Sequence, residues 1–213
     1  MVHRTPFFLP SLFPSSLVWR VPEKQPVLYL TFDDGPINGP TDFVLETLAE
    51  YNAYATFFCI GDNIRKHELV FRRTIDGGHA VGNHTYNHLN GWKTSLAEYK
   101  ENTIKCEDAI RAHMPLRVSM PLFRPPYGRI SRSQIRALSK DFRIVMWDVL
   151  TMDYRAGIAP EKCLRGSINA TRPGSVVVFH DSFKAEKNLT FALPRFLEHF
   201  SNLGYSFKRL STT

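Results

Sequence analysis

The feature of this 213-residue chain that most constrains its fold is the alternation of short apolar segments with longer amphipathic ones. The short segments are rich in β-branched and aromatic residues and predict strands at residues 27–32, 54–60, 79–82, 122–124, 142–149, 175–180 and 205–208. The longer segments predict helices at residues 41–51, 63–76, 95–114, 131–139, 160–170 and 189–203. Strand, helix and strand in repeated succession is typical of an α/β fold in which helical crossovers join parallel strands. The chain is short for a complete eightfold barrel.

No internal repeat, linker or low-complexity segment divides the chain, so we expect a single domain over residues 1–213, with residues 1–26 as an N-terminal arm. The arm is apolar, but Pro6, Pro10 and Pro14 interrupt it, whereas a signal peptide needs an unbroken apolar stretch of about 7–15 residues. We therefore predict no conventional signal peptide, which favours a cytoplasmic location and leaves export by another route open. No segment approaches the ~18 apolar residues of a membrane span, so no membrane-spanning segment is expected.

The net charge of +7 favours an anionic partner, such as nucleic acid, a membrane surface or an acidic polymer. Between Ala109 and Lys140 there is no Asp or Glu. Seven basic residues lie in this basic stretch: Arg111, Arg117, Arg124, Arg129, Arg132, Arg136 and Lys140. The last three are spaced four apart, which indicates a solvated helix face. No aromatic-interleaved motif of a nucleic-acid-binding protein accompanies them, so no nucleic-acid partner is predicted.

Polar residues stand at or directly after the carboxyl ends of the predicted strands. They are Asp33, Asp34, His84, Arg124, Asp148 and His180. The carboxyl ends of parallel strands meet on one face of an α/β barrel, and active sites form on that face. We therefore expect these side chains to converge.

Two of these segments together suggest a metal site. In Thr31-Phe32-Asp33-Asp34-Gly35-Pro36, two adjacent carboxylates are costly unless a cation neutralises one of them. His84 and His88, in His-Thr-Tyr-Asn-His, can share one metal if the backbone turns between them. Taken singly, the first segment also suits an Asx-turn and the second two surface histidines. Together, one carboxylate and two imidazoles suit a catalytic zinc or related divalent ion, and the second carboxylate is left as a general base for water.

Three further segments offer groups for acyl transfer. In Phe123-Arg124-Pro125-Pro126-Tyr127-Gly128, the prolines fix the backbone, so Arg124 can orient a carboxylate and the Tyr127 amide can stabilise an oxyanion. A stiff loop with a surface arginine is the alternative. The other segments are Trp147-Asp148 with Asp153-Tyr154, and the run that ends in Phe179-His180-Asp181. A histidine that ends a wholly apolar strand can be a general acid, or a core histidine with satisfied hydrogen bonds.

In order and spacing, the five segments resemble the five motifs of the polysaccharide deacetylases, the NodB-like family of carbohydrate esterase family 4. The resemblance extends from Val27 to the C-terminus. It implies a distorted (β/α)7 barrel, with TIM-barrel-like parallel strands and outer helices. It also implies that Asp34, His84 and His88 hold a metal.

The resemblance implies further roles for residues of the site. By it, Asp33 is the catalytic base, Arg124 holds that base, and the Tyr127 amide forms part of the oxyanion hole. His180 is the catalytic acid, with Asp153 as its partner. Four residues are expected to contact substrate: Pro125, Trp147, Tyr154 and Val178. The family usually has Trp where this chain has Tyr154 and Leu where it has Val178, which leaves the shape of the substrate open.

The resulting hypothesis is a metal-dependent deacetylase that hydrolyses N-acetyl groups of a glycan containing N-acetylglucosamine, such as peptidoglycan or a chitin-like polymer, and releases acetate. The expected cofactor is one divalent ion, with Zn favoured and Co, Ni, Fe or Mn open. The expected partner is an acetylated polysaccharide or oligosaccharide, and the protein is expected to be a monomer. The alternatives are an O-acetyl esterase acting on acetylated xylan, a non-catalytic glycan-binding relative, and a non-haem iron oxygenase, whose metal also takes two His and one carboxylate.

Overall fold

The structure is a computed structural model that describes residues 3–114 and 120–211, so Arg117 and the first two residues of the arm lie outside it. The described residues form eight parallel strands. They are β1 (Val27–Asp33), β2 (Ala55–Cys59), β3 (Ala80–Asn83), β4 (Leu122–Phe123), β5 (Arg143–Ile144), β6 (Val149–Leu150), β7 (Val176–His180) and β8 (Ser206–Phe207). Seven follow the order β5-β4-β3-β2-β1-β7-β6 in a curled half-barrel, and β8 pairs with the start of β1. The distorted parallel barrel expected above is therefore confirmed.

Helices surround the sheet. Among the described residues they are α1 (Pro40–Glu50), α2 (Gly61–Lys66), α3 (Glu68–Asp76), α4 (Leu96–Arg111), α5 (Arg132–Leu138), α6 (Pro160–Ala170) and α7 (Glu186–Asn202). Local sequence explains several starts: the Ser95 hydroxyl accepts from the Glu98 amide at the start of α4, and Ser131 with Gln134 forms a capping box on α5. None of the helices in the described ranges is long and apolar enough to cross a membrane.

The central strands are buried on both faces, as is typical of parallel sheets covered by helices. Every residue of β1 is buried, although the strand ends in a carboxylate, Asp33. The register of β1 with β7 pairs Asp33 with His180, the last residue of β7. The sheet thus brings together two polar residues that are far apart in the sequence.

The helix predicted at residues 63–76 is two helices, α2 and α3. They meet at His67, whose φ of −128° and ψ of 46° are not helical. The apolar residues keep their helical spacing across His67, so the sequence pattern did not predict the break. Since α2 begins at Gly61, directly after β2, it places Asn63 next to the turn that follows β1.

The strand predicted at residues 142–149 is also divided, into β5 and β6. Between these two strands, the carbonyls of Val145 and Met146 accept hydrogen bonds from the Arg124 guanidinium, at 3.3 and 2.9 Å. Because of this division, Asp148 precedes β6 and does not end a strand. Its carboxylate accepts from the Ser175 hydroxyl at 2.6 Å, at the start of β7. The expectation that Asp148 joins the carboxyl-end cluster was therefore wrong.

The N-terminal arm packs along the sheet between β5 and β7. Isolated bridges pair Arg4 with Val149, Val18 with Val145, and Arg20 with Ser175. Leu17 is buried in the same cluster as side chains of α5 and β5. The described part of the arm therefore covers the region where the predicted strand is interrupted.

Candidate active site

A cavity of about 480 Å³ opens at the carboxyl ends of the strands. Its walls carry two carboxylates, three histidines, two cations and several apolar side chains. They are Asp33, Asp34, His84, His88, Tyr127, Arg129, Trp147, Leu150, Tyr154, Val178, His180 and Lys184. The convergence predicted from the strand ends is therefore present for every candidate except Asp148 and Arg124, and Arg124 lies buried directly behind the wall.

The turn after β1 holds Asp34 in a left-handed backbone conformation, with a φ of 82°. Such a conformation is strained for a residue other than glycine and persists only where neighbours fix it. The Asn63 side chain donates to the Asp34 carbonyl at 2.7 Å. On the other side, the Gly35 amide donates to the buried Asp181 carboxylate at 3.0 Å. These two contacts restrain the peptide groups next to Asp34.

Asp181 is itself held by α1, because the Thr41 hydroxyl donates to its second carboxylate oxygen at 2.6 Å. A Cβ atom at Gly35 would lie 2.0 Å from that oxygen, so only glycine fits. Burial raises the pKa of Asp181 to about 8. The sequence analysis gave Asp181, in the fifth motif, no role. Its contacts with Gly35 and Thr41 could not be predicted from the sequence pattern, because each joins segments that are far apart along the chain.

Asp34, His84 and His88 offer three ligand atoms that all lie within 4.8 Å of one another. The Asp34 Oδ1 atom is 3.2 Å from Nε2 of His88 and 3.8 Å from Nε2 of His84. The two histidines do not lie on a helix; Thr85 and His88 both have a positive φ, and this loop turns the second ring back beside the first.

The chemistry of this donor set fits a divalent cation. The Nδ1 atom of His84 is 2.8 Å from the Arg124 carbonyl, so it carries the proton and leaves the Nε2 lone pair facing the cavity. Burial lowers the pKa of His84 to about 4, so the ring is neutral at pH 7, as a ligand must be. Burial opposes the charge on Asp34, but the hydrogen bond with His88 and the nearby imidazoles outweigh it and lower the pKa of that carboxyl.

Asp33 is held by Arg124 and does not belong to the group of three candidate ligands. The Nη1 atom of Arg124 donates to Oδ1 of Asp33 and to the Thr31 hydroxyl, both at 2.7 Å. The guanidinium is fully buried and lies over the Phe58 ring, 4.1 Å from its centroid. The other carboxylate oxygen, Oδ2, faces His84 at 4.0 Å and lines the cavity. One oxygen of Asp33 is therefore fixed, and the other faces the space in front of the candidate ligands.

His180 forms an ion pair with Asp153 behind the opposite wall. Its Nδ1 atom is 2.7 Å from one carboxylate oxygen of Asp153, and its backbone amide donates to the other at 2.7 Å. Asn188 of α7 donates to the Asp153 carbonyl at 2.7 Å. Burial opposes the charge on His180, but the attraction of Asp153 and the carboxylates of the cavity outweigh it and raise the pKa to about 9. The ring is therefore protonated at pH 7, and its Nε2 side is left for the cavity.

The expected substrate-contacting residues divide into two groups. Trp147, Tyr154 and Val178 line the cavity, whereas Pro125 is buried outside it and its carbonyl accepts from the Gly128 amide at 3.0 Å. Tyr127 has a φ of 59°, and its exposed ring lies 4.6 Å from that of His88. Pro125 thus belongs to the tight turn that positions Tyr127, and it does not line the cavity.

Three residues of the wall were not among the sequence candidates: Arg129, Leu150 and Lys184. Arg129 follows the third motif by one residue and belongs to the basic stretch. Lys184 follows the fifth motif by three residues. Their types and positions carry no motif signal, and only the packing of the loops directs them towards the cavity.

Known proteins share both the sequence pattern and the fold. The profile of the family described as polysaccharide deacetylase matches residues 20–144. The chain is 36% identical over 163 residues to a peptidoglycan-N-acetylglucosamine deacetylase of Bacillus cereus, covering 76% of this chain and 58% of that protein. It is 34% identical over 163 residues to a chitooligosaccharide deacetylase of Azorhizobium caulinodans, covering 76% of this chain and 77% of that protein. A solved structure of a peptidoglycan N-acetylglucosamine deacetylase has a TM-score of 0.87 and 30% identity, covering 97% of this chain and 95% of that chain.

The profile match includes the turn after β1, the two candidate histidine ligands and Arg124. The match to the solved structure extends over 97% of this chain. The family expected from the five motifs is thereby confirmed: the chain belongs to the polysaccharide deacetylases, a family of hydrolases that act on carbon–nitrogen bonds other than peptide bonds.

Proposed function

We propose that this protein hydrolyses the N-acetyl group of N-acetylglucosamine units in a glycan, with one divalent metal ion, and releases acetate. The observation that carries the proposal is the division of labour in the Asp33-Asp34 pair. Asp34 faces the Nε2 atoms of two histidines, while Asp33 is bound to Arg124 and turns its second oxygen to the cavity. The named activities of the two relatives, on peptidoglycan N-acetylglucosamine and on chitooligosaccharides, support the same reaction.

Asp34, His84 and His88 would hold the ion, and zinc suits this carboxylate and two-imidazole set best. A divalent ion bound there would polarise the acetyl carbonyl and lower the pKa of a water molecule. Asp33 then takes the proton of the attacking water through its free oxygen. Arg124 fixes the direction of Asp33, because the ion pair is buried and the guanidinium also donates to the Thr31 hydroxyl and the Met146 carbonyl.

His180 serves as the proton donor to the leaving amine. The ion pair with Asp153 keeps the ring protonated at neutral pH and fixes its orientation. The backbone amide of Tyr127, in the tight turn after Arg124, contributes to stabilising the oxyanion. Trp147, Tyr154 and Val178 form the apolar wall against which the reacting sugar and its acetyl group pack.

An iron oxygenase would use the same three ligands, but it has no need of the buried Asp33–Arg124 pair or of a protonated histidine on the opposite wall. An O-acetyl esterase depends less on a protonated donor such as His180, because the alkoxide of a sugar can leave without being protonated first, whereas an amine leaves only after its nitrogen is protonated. We therefore favour N-deacetylation.

An acetate-release assay tests the proposal. Chitopentaose, peptidoglycan and acetylated xylan would be incubated with the protein as purified, after chelator treatment, and after zinc is added back. The expected result is acetate from the N-acetylated glycans that disappears with chelator and returns with zinc. Release from xylan alone would favour the esterase, and release that requires oxygen would favour the oxygenase.

A further inference from the structure

Two cations stand at the rim of the cavity, and each lies near an aromatic ring that in turn contacts a histidine of the site. On one side the Tyr127 ring lies 4.6 Å from the His88 ring, and the Arg129 guanidinium lies 5.9 Å from the Tyr127 ring. On the other side the Tyr154 ring lies 4.8 Å from the His180 ring, and the Lys184 ammonium lies 5.5 Å from the Tyr154 ring. One cation therefore flanks the candidate metal ligands, and the other flanks the candidate acid.

Neither cation is neutralised by a residue that the structure describes. In residues 3–114 and 120–211, neither Arg129 nor Lys184 has a carboxylate within ion-pair distance, and their charged groups contact only aromatic rings. The other charges of the cavity wall are already engaged, because Asp33 binds Arg124 and Asp34 faces the two imidazoles. The rim is therefore positively charged around a site whose own acids are occupied.

Arg129 is held in place more firmly than an exposed arginine usually is. Its guanidinium lies between Tyr127 and Trp92, 5.3 Å from the Trp92 ring, and the indole of Trp92 donates to the Ile130 carbonyl. Because contact with two rings already restricts this side chain, it would lose less conformational entropy on forming an ion pair with a ligand. Of the basic stretch that the sequence singled out, Arg129 is the described member whose charged group lines the cavity.

We propose that Arg129 and Lys184 are two acid-binding subsites, which hold carboxylates carried by the units on either side of the reacting N-acetylglucosamine. The inference rests on the proposed deacetylase function and narrows its substrate to an acidic glycan. Neutral polymers of N-acetylglucosamine or xylose offer these two cations no partner. A glycan in which N-acetylglucosamine alternates with an acid-bearing sugar offers a carboxylate on both sides.

The test compares two ligands that differ only in charge. One is the peptide-free glycan strand of peptidoglycan, whose alternate sugars carry a lactyl carboxylate, and the other is the same strand with the carboxylates reduced to alcohols. Acetate release and equilibrium binding by calorimetry would be measured for both strands with the zinc-loaded protein. A strand that keeps its peptides shows whether the carboxylates come from the sugar or from the attached peptide.

The expected result is a preference of about tenfold in kcat/KM for the acidic strand, arising in KM, because two exposed ion pairs are worth roughly that factor together. The double variant Arg129→Gln/Lys184→Gln should lose most of this preference. The matched control Arg136→Gln/Lys187→Gln removes the same net charge at two exposed positions outside the cavity wall and should retain it. About 0.5 M salt should reduce the preference of the unmodified protein.

The outcomes separate this inference from the proposed function. If both strands release acetate equally well with the unmodified protein, or if the control loses the preference as fully as the double variant, the subsites are overturned and the deacetylase stands. If no strand releases acetate but the binding preference depends on Arg129 and Lys184, the subsites stand and the proposed function fails. Preference for the peptide-bearing strand alone assigns the subsites to peptide carboxylates.

Discussion

Asp33 and His180 are register partners on adjacent parallel strands, so the candidate base and the candidate acid end β1 and β7 side by side. Each is oriented from behind by a group of opposite charge, Arg124 for Asp33 and Asp153 for His180. The sheet therefore positions two opposite proton-transfer groups at one edge without a flexible loop between them.

Asp33→Asn should lower kcat about 10²–10⁴-fold, the range expected for loss of a general base, while the protein still binds zinc. The amide oxygen can still accept from Arg124, so the fold is expected to survive. Asp34→Asn should instead lose zinc. Acetate release and the metal content of dialysed protein distinguish the two, with Asp76→Asn as a control for loss of an exposed carboxylate. Normal turnover by Asp33→Asn would remove Asp33 from the role of base.

Arg124→Met should destabilise the protein by about 3–5 kcal/mol, because it leaves the Asp33 carboxylate buried without its counter-charge. The carbonyls of Val145 and Met146 lose their donors as well. The double variant Arg124→Met/Asp33→Asn should be more stable than Arg124→Met, since the stranded charge is gone. Urea unfolding of the three proteins measures this. If the double variant is no more stable than Arg124→Met, the loss of stability does not come from the unpaired Asp33 charge.

The alkaline limit of activity should report His180. Its pKa is raised from 6.5 to about 9, so the acid form is available below that pH and is lost above it. Asp153→Asn removes the main partner and should move the alkaline limb to lower pH. Because the pKa of His180 is higher in the folded protein than in the unfolded chain, protonation of His180 adds to the free energy of unfolding. This contribution is complete below pH 6.5 and is lost as the pH rises through 9. In chelator-treated protein, the difference in unfolding free energy between the unmodified chain and His180→Gln should therefore narrow between these pH values. An alkaline limb unchanged in Asp153→Asn would contradict the assignment.

Asn63 and Asp181 restrain the turn at Asp34, so removing either side chain should weaken metal binding. Removal of groups that orient metal ligands usually costs about 10–100-fold in affinity, so we expect a loss of this size for Asn63→Ala and for Asp181→Ala. Zinc competition against a chromophoric chelator measures it. Asn188→Ala is the matched control, because it removes a buried polar side chain that supports Asp153 and not Asp34. Equal losses in all three variants would indicate general destabilisation instead.

Local sequence determined a large part of this protein. The 3.6-residue periodicity of the helices and the β-branched and aromatic composition of the strands placed most elements within a few residues of their observed ends, and α6 was predicted from Pro160 to Ala170 as it is found. The motifs at the strand ends were predictable because the carboxyl ends of parallel strands must share one face. The division of one predicted strand at residues 145–148 was not predictable, since the carbonyl of Val145 there bonds to Arg124, which is 21 residues away along the chain.

The sequence by itself thus determined the fold class, the family and which residue types gather at one edge of the sheet. Residue patterns alone left open which carboxylate faces the histidines and which binds Arg124; the family resemblance implied an assignment, and the tertiary structure shows the contacts that produce it. Only the tertiary structure decided that Asp148 turns away and that Arg129 and Lys184 reach the rim. The physical reason is that periodicity reports which face of a segment is buried, whereas the direction of a polar side chain is set by hydrogen bonds and ion pairs between distant segments. Asp33 and Asp34 are neighbours in sequence, and their separate environments come from contacts 91 residues away for one and in the loop of His84 and His88 for the other.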